Sequence, residues 1–119
     1  MKPLFSVVIP TYNCASKLKH ALESVLAQSY ENFEILVMDD GSTDNTAEVV
    51  GSLADPRIIY EWDKNFGGPA RPRNRGIALA KGEWICFLDA DDWWTADKLQ
   101  ACFDCIDEHV DFHWSRVLK

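Results

Sequence analysis

The sequence lacks a long apolar segment. Nowhere do its 119 residues reach the roughly 18 to 20 consecutive apolar positions that a membrane-spanning helix needs. The residues after Met1 lead into an apolar run that is too short for a signal peptide. These absences argue against a transmembrane or secreted chain, and we expect a cytoplasmic protein.

Positive charge is scarce as well. The 12 Lys and Arg residues are outnumbered by 19 Asp and Glu residues, which gives a formal net charge of −7. A nucleic-acid scaffold needs clustered basic residues that displace counterions from phosphates, so we expect no nucleic-acid partner. Any anionic ligand must be held by local groups against the field of the whole chain.

Closely spaced cysteines are nearly absent. Among the 4 cysteines only Cys102 and Cys105 lie close together, and no second ligand pair follows them. This spacing argues against a zinc site or a disulfide framework. Apolar residues at 99, 102, 103 and 106 recur with helical spacing, which predicts that both cysteines lie on the buried face of a helix.

Apolar segments alternate with helical patterns along the chain. The predicted strands cover residues 4 to 9, 33 to 38, 57 to 62 and 84 to 88. Helical patterns fill the gaps at residues 18 to 26, 42 to 53, 72 to 80 and 99 to 106, and residues 110 to 119 begin like another strand. The alternation predicts one α/β domain, residues 1–119, with a mainly parallel sheet flanked by helices on both faces.

Three of the predicted strands end in polar clusters, at residues 10–13, 39–44 and 89–92. The carboxyl ends of parallel strands meet at one edge of the sheet, where open α/β folds bind their ligands. Each cluster alone also fits ordinary helix capping and turn chemistry. Three clusters on one edge favour a binding site.

Asp89 and Asp91 follow the last of these strands, in the stretch WICFLDADDWW. Carboxylates at a strand end are hard oxygen ligands for Mg²⁺ or Mn²⁺, which keep several waters and accept phosphate oxygens from a substrate. Such a cation lets an anionic ligand approach an acidic edge, because it offsets the repulsion between carboxylates and a diphosphate. The pattern predicts a Mg²⁺ or Mn²⁺ site.

Asp39, Asp40 and Tyr12 suit a flat, hydrogen-bonding ligand. Adjacent residues at a strand end point to opposite sides, so one aspartate faces the ligand edge and the other binds backbone donors of the next turn. A carboxylate accepts the imide N–H of a uracil ring, and the Tyr12 ring offers a face for stacking. A partly buried wall residue is the alternative interpretation of Tyr12.

Three arginines, Arg71, Arg73 and Arg75, cluster at a predicted helix start. Backbone N–H groups and guanidinium donors both favour phosphate at such a place. On a helix Arg71 and Arg75 share one face and Arg73 points elsewhere. At least one of the three is therefore expected to be a solvated surface charge.

Two segments are similar to the N-terminal half of a family 2 glycosyltransferase of the GT-A fold. They are FSVVIPTYNCASKLKHALESVLAQSYENFEILVMDDGSTDNTAEVV and ARPRNRGIALAKGEWICFLDADD, which together span most of the chain. The resemblance implies a Rossmann-like GT-A nucleotide-binding domain that continues beyond Lys119. The sequence departs from the family pattern at Pro72, where the family often has a small residue.

The resemblance also implies a nucleotide-sugar donor, most often a UDP-sugar. By that resemblance Tyr12 and the Pro10 backbone belong to the base pocket, Asp40 meets the uracil, and Arg73 supports the nucleotide. These assignments make one side of the predicted edge a nucleotide site.

The same resemblance makes Asp91 the metal-binding carboxylate of a DXD motif and places Asp89 close to the sugar or the ribose. Mg²⁺ or Mn²⁺ is then expected to bridge the diphosphate. The implied reaction is inverting transfer of the sugar to a saccharide or lipid-linked acceptor, in the synthesis of bacterial cell-surface polysaccharides.

The catalytic base is not assigned within this chain. Inverting members use a general base, usually an aspartate on a later segment, which is expected beyond Lys119. His20, His109 and His113 are predicted to lie away from the strand edge. The chain alone is therefore expected to bind a donor, with peripheral membrane association and homo-oligomers as further expectations.

Three other classes fit parts of the pattern. A phosphoacceptor receiver domain also has an acidic Mg²⁺ pocket, but it needs an aspartate pair after the first strand. A haloacid-dehalogenase-type phosphatase would use Asp89 as nucleophile and Asp91 as acid, but on an early strand. A non-catalytic nucleotide-sugar-binding module or regulator stays open, and an aspartate base on a later segment would distinguish the enzyme from it.

Overall fold

The computed structural model describes residues 5–65, 70–108 and 116–118. Within these ranges five β-strands alternate with four α-helices. The strands are β1 (Phe5–Thr11), β2 (Phe33–Asp39), β3 (Ile58–Trp62), β4 (Trp84–Phe87) and β5 (Arg116–Leu118). The helices are α1 (Ala15–Leu26), α2 (Thr46–Ser52), α3 (Ala70–Leu79) and α4 (Lys98–Glu108). None of these helices has the length and apolar character that crossing a membrane requires.

The predicted alternation of strands and helices is confirmed. Each predicted element coincides with an observed one to within a few residues. β1 and β2 extend to Thr11 and Asp39, beyond their apolar stretches, because the two strands stay paired through their polar last residues. Part of the predicted last strand, residues 110–115 and 119, lies outside the described residues, and β5 occupies the part between.

The five strands form one parallel sheet in the order β3-β2-β1-β4-β5. Central β1 pairs with β2 along its whole length, from Phe5 opposite Phe33 to Thr11 opposite Asp39. On its other side Phe5 lies opposite Trp84 of β4. Because β1 and β2 end in register, the loops that follow them leave the sheet at the same level.

Helices cover both faces of the sheet, as predicted. Residues of β1 alternate between two cores, since successive side chains of a strand point to opposite faces. Val7 and Ile9 pack in the larger core with residues of α1, α2 and α4. Val8 lies in the smaller core with Leu36, Met38 and Ile85, on the face that α3 covers.

Helix α3 approaches the sheet closely because residue 76 is glycine. A Cβ there would lie 2.4 Å from Cγ1 of Val8 and 3.3 Å from Cγ of Met38. Because glycine has no Cβ, α3 packs against the side chains of Val8 and Met38 without displacing them. The close approach places the first turn of α3, with the buried Pro72, at the carboxyl edge of the sheet.

A buried polar network closes the opposite, amino edge. Ser6 Oγ donates to Glu34 Oε2 at 2.6 Å, and the Lys81 N–H donates to the same oxygen at 2.7 Å. The Gly82 N–H donates to Ser6 Oγ at 2.8 Å. We call these four residues the amino-edge network. It fastens the turn between α3 and β4 to the first two strands, whose buried polar groups it satisfies.

The prediction for the two neighbouring cysteines is wrong for one of them. Cys102 is half-buried against the larger core, but Cys105 is exposed. At 100° per residue, Cys105 lies about 120° around α4 from the fully buried Leu99, outside the apolar stripe. Cys86 of β4 is buried near Cys102, and burial raises the pKa of its thiol to about 12.

Candidate functional site

The loops after β1, β2 and β4 line one cleft at the carboxyl edge of the sheet. The cleft has a volume of about 530 Å³. Its walls are formed by Pro10, Thr11, Tyr12, Cys14, Asp40, Asn65, Pro72, Asp89, Ala90 and Asp91. Five of the six site residues predicted from the sequence therefore line one cleft, and the sixth, Arg73, contacts one of the five.

The loops after β1 and β2 are held together by reciprocal hydrogen bonds. The Asn13 N–H donates to Ser42 Oγ at 2.8 Å, and Asn13 Oδ1 accepts the Thr43 N–H at 2.8 Å. Asn13 has a φ of 48°, in the left-handed region that asparagine tolerates better than most residues. We call these two hydrogen bonds the clasp. They hold the neighbouring Tyr12 at the cleft, where this residue is 47% exposed.

The two aspartates at the end of β2 have different surroundings, as predicted. Asp39 is fully buried, accepts the Ser42 N–H at 2.9 Å and accepts the hydroxyl of Tyr60. Burial, followed by this hydrogen bond, raises the pKa of Tyr60 above its ordinary value. Asp40 instead lines the cleft, and its N–H donates to the Thr11 carbonyl at 2.9 Å.

Asn65 is a cleft residue that the sequence analysis missed. Its Nδ2 donates to the Asp40 carbonyl at 3.1 Å. Gly41 makes this approach possible, because a Cβ on it would lie 2.5 Å from the Asn65 nitrogen, and its φ is 87°. The glycine after two aspartates was a visible signal of a close contact, but its partner lies 24 residues further along the chain and could not be inferred from spacing. Cys14 was also missed as a lining residue, whereas Thr11 was predicted only as part of the cluster at residues 10–13.

Asp44 belongs to the second polar cluster but supports the fold. Its Oδ2 accepts the Ala15 N–H at 3.2 Å, and its Oδ1 accepts the Thr46 N–H at 3.1 Å and the Thr46 hydroxyl. The Thr46 hydroxyl, with the two N–H groups, lowers the pKa of Asp44. The first turns of α1 and α2 are thereby joined next to the cleft.

The aspartates after β4 form a turn in which each carboxylate has a different environment. The Asp92 N–H donates to the Asp89 carbonyl at 3.0 Å, and Asp92 Oδ1 accepts the Trp93 N–H at 2.9 Å. Asp89 Oδ1 accepts from Arg73 at 3.2 Å. The exposed Asp91 carboxylate has no hydrogen-bond or ion-pair partner among the described residues, and it lines the cleft.

The Asp91 carboxylate is a group of the cleft that could hold a metal ion. Within residues 5–65, 70–108 and 116–118, no group of three or more His, Cys, Asp or Glu side chains could hold a metal ion. Mg²⁺ and Mn²⁺ often bind through one or two carboxylates, several waters and the phosphates of a substrate. The unpaired Asp91 carboxylate suits that mode of cation binding.

The three arginines divide as their helical spacing predicts. Arg71 Nη2 lies 3.5 Å from Asp63 Oδ2, and Arg75 Nε lies 3.9 Å from the same oxygen. Arg75 Nη2 is also 3.8 Å from Glu61 Oε1. Both therefore face the end of β3. Arg73 points to the opposite side, towards Asp89.

The two tryptophans after the aspartates do not line the cleft. The Trp93 ring stacks on His20 of α1, with 5.8 Å between centroids. Trp94 packs against the larger core, and its backbone N–H donates to Ser24 Oγ at 3.1 Å. Their contacts fasten the segment before α4 to α1.

The family of the chain follows from a match over nearly its whole length. The model of glycosyl transferase family 2 matches residues 6–117. The chain belongs to glycosyl transferase family 2. The predicted resemblance to this family is therefore confirmed.

Known proteins of similar sequence and structure support the assignment to this family. The Escherichia coli UDP-Glc:alpha-D-GlcNAc-diphosphoundecaprenol beta-1,3-glucosyltransferase WfaP is 41% identical over 96 residues, or 81% of this chain and 38% of WfaP. S. aureus TarS 1–349 in complex with UDP-GlcNAc matches with a TM-score of 0.86 and 35% identity, over 89% of this chain and 32% of that one.

A third similar protein is the mannosyltransferase PcManGT from Pyrobaculum calidifontis, solved in complex with GDP-Man and Mn²⁺. It matches with a TM-score of 0.80 and 27% identity, over 89% of this chain and 33% of that one. The predicted GT-A fold is confirmed by these structural matches. The chain spans about a third of the length of each of these three proteins.

Proposed function

We propose that the chain is the donor-binding part of an inverting glycosyltransferase. The proposed donor is a nucleotide-sugar, namely a UDP-sugar. The cleft at the carboxyl edge carries the proposal, because it joins an exposed aromatic ring and three acidic side chains from three separate loops. The complexes of TarS with UDP-GlcNAc and of PcManGT with GDP-Man support it.

The base pocket is proposed at Pro10, Tyr12 and Asp40. The half-exposed Tyr12 ring can stack on a nucleobase, and the Pro10 backbone adds a wall beside it. The Asp40 carboxylate offers an acceptor for a ring N–H such as the imide of uracil. The Asn65 contact and the tight turn at Gly41 hold the Asp40 backbone in place.

The diphosphate and the sugar are proposed to bind beside the turn that follows β4. Asp91 would hold Mg²⁺ or Mn²⁺ together with phosphate oxygens, and Asp89 would lie close to the ribose or the sugar. When bound, the cation offsets charge that develops on the leaving diphosphate. Asp91 has the open carboxylate for this role, whereas Asp89 is paired with Arg73.

For the whole protein we propose transfer to a saccharide or lipid-linked acceptor in cell-surface polysaccharide synthesis. The name of WfaP, a glucosyltransferase acting on a diphosphoundecaprenol-linked sugar, supports a lipid-linked acceptor. A cytoplasmic location at the inner face of the membrane would suit such an acceptor. The general base is proposed on a later segment of the protein, because the acidic side chains that line the cleft, Asp40, Asp89 and Asp91, already have roles in the proposed donor site.

Calorimetric titration of the chain with UDP, GDP and ADP, each with and without Mn²⁺, tests the donor site. We expect the tightest binding for UDP with Mn²⁺ and a loss of about tenfold or more in Asp91→Ala, since one charged ligand of the cation is removed. Asp92→Ala is the matched control, because its carboxylate faces the Trp93 N–H, and it should change affinity less than about twofold.

Two results would contradict the proposal. A folded chain that binds none of the three nucleotides would show that the cleft is not a donor site. Binding that is equal with and without Mn²⁺, and equal in Asp91→Ala, would retain the nucleotide pocket but remove the proposed cation role of Asp91.

A further inference from the structure

Arg73 contacts Asp89 and Phe87 and does not itself line the cleft. Its Nη2 donates to Asp89 Oδ1 at 3.2 Å, and its guanidinium carbon lies 5.6 Å from the centroid of the Phe87 ring. Arg73 is not among the residues that line the cleft. We propose that Arg73 is a positioning residue that acts on the donor through Asp89, and is not a direct ligand of the diphosphate. This inference rests on the proposed function.

The arginine joins the last residue of β4 to the turn that follows it. Phe87 ends β4, Asp89 begins the turn, and the guanidinium contacts both. The planar group of an arginine suits stacking on an aromatic ring and a directed hydrogen bond at the same time. Its Nε is buried and without a hydrogen-bond partner among the described residues, so this nitrogen is not open to a ligand either.

Asp89 needs such a contact to keep one orientation. Its side chain is 62% exposed, and an exposed carboxylate would otherwise exchange between rotamers. A group that is already ordered loses less conformational freedom when a ligand binds. Arg73 therefore prepares the Asp89 carboxylate to accept hydrogen bonds from the donor.

The same pairing separates the tasks of two aspartates that are two residues apart. The charge of Asp89 is offset by Arg73, whereas Asp91 has no partner among the described residues. A carboxylate whose charge is offset is a poorer cation ligand but still accepts hydrogen bonds from hydroxyl groups. Asp91 is left to bind the cation, and Asp89 to bind a neutral, hydroxyl-bearing part of the donor.

A double-mutant cycle with UDP and Mn²⁺ tests the proposal. Affinities are measured calorimetrically for the unchanged chain, Arg73→Ala, Asp89→Asn and the double variant. We expect each single change to weaken binding about three- to tenfold and the double variant to stay within about twofold of Asp89→Asn alone. If Arg73→Ala costs the same factor in both backgrounds, the arginine contacts the donor directly and the proposal is wrong.

Two further variants separate positioning from charge. Arg75→Ala removes the same charge from the same helix but faces Glu61 and Asp63, so it should leave affinity within about twofold. Arg73→Lys keeps the charge without the planar group and should bind UDP as weakly as Arg73→Ala, to within about twofold. Full recovery in Arg73→Lys would mean a long-range charge effect and would overturn the proposal.

The outcomes also distinguish this inference from the proposed function. If the unchanged chain binds no UDP in the presence of Mn²⁺, both fall together. If it binds UDP and the effects of Arg73→Ala and Asp89→Asn multiply in the double variant, only the positioning role falls. Urea unfolding of all variants identifies any loss of affinity that comes from loss of folded protein.

Discussion

The two edges of the same sheet use similar polar residues in opposite ways. At the amino edge, Glu34 and Ser6 are 7% and 0% exposed, and they bind each other and two backbone N–H groups. At the carboxyl edge, Tyr12 is 47% exposed and the Asp91 carboxylate has no partner among the described residues. The first edge is internally satisfied, and the second is left with binding capacity.

This difference shows which polar groups serve the fold and which serve a ligand. A buried carboxylate that accepts two hydrogen bonds from the chain contributes to stability through them. An exposed carboxylate beside a cleft contributes little to stability and can bind a ligand at low cost in lost contacts. Substitutions at the amino edge should therefore affect unfolding, and substitutions at the carboxyl edge should affect binding.

The largest effect is expected at the amino edge. Glu34→Ala should lower the free energy of unfolding by about 3 kcal/mol, because the Ser6 hydroxyl and the Lys81 N–H both lose a charged acceptor in a buried place. Urea unfolding followed by circular dichroism measures the change. Glu34→Gln keeps an acceptor oxygen and should lose less. An unfolding midpoint equal to that of the unchanged chain would show that the network is not structural.

At the carboxyl edge, Tyr12→Ala should act on binding alone. Stacking of an aromatic side chain on a base is worth about 1–3 kcal/mol, so UDP affinity should fall about tenfold. The free energy of unfolding should change by less than about 0.5 kcal/mol, because Tyr12 is half exposed. Tyr12→Phe retains the ring and should bind like the unchanged chain. Equal losses in both variants would assign the effect to the hydroxyl instead.

Substitution of Tyr60 is expected to have a smaller effect, on stability. Its hydroxyl donates to Asp39, which is adjacent in sequence to the cleft residue Asp40. Tyr60→Phe should lower the free energy of unfolding by about 1 kcal/mol at neutral pH through the lost hydrogen bond to Asp39. The effect also has a pH signature. Burial and this hydrogen bond raise the pKa of Tyr60 above its ordinary value of 10.0, so the folded protein holds the proton more tightly than the unfolded chain.

The sign of the pH dependence follows from that shift. The stabilisation is fully present below the pKa of the unfolded tyrosine and is lost as the pH rises through it towards the folded pKa. Unfolding curves measured from pH 8 to pH 11, or about two units below and one above the ordinary tyrosine pKa, should therefore show a smaller alkaline decrease in Tyr60→Phe. An identical decrease in both proteins would rule out Tyr60 as its source.

The strands and the edge of the sheet that carries the candidate site could be predicted from local patterns. The strands were visible as apolar runs, and parallel strands necessarily bring their carboxyl ends together. It was therefore possible to place Pro10, Tyr12, Asp40, Asp89 and Asp91 at one edge from the sequence, and they do line one cleft. The opposite directions of Asp39 and Asp40 followed from the alternation of a strand.

Contacts between distant residues could not be predicted in this way. Asn65 reaches Asp40 only because β3 lies beside β2 in a particular register. The Ser6 and Glu34 contact depends on β1 and β2 being in register, and Gly82 joins it across the α3 crossover. Cys105 was misplaced because its spacing from Cys102 is helical, while the apolar stripe of α4 is too narrow to include it.

The clasp between Asn13 and the residues 42 and 43 has a consequence for redesign. Two loops that are far apart in the chain behave as one part, because each supplies a donor and an acceptor to the other. Grafting a loop after β1 that lacks asparagine at position 13 would leave the Thr43 N–H without its acceptor, Asn13 Oδ1. The loops after β1 and β2 should therefore be redesigned together rather than one at a time.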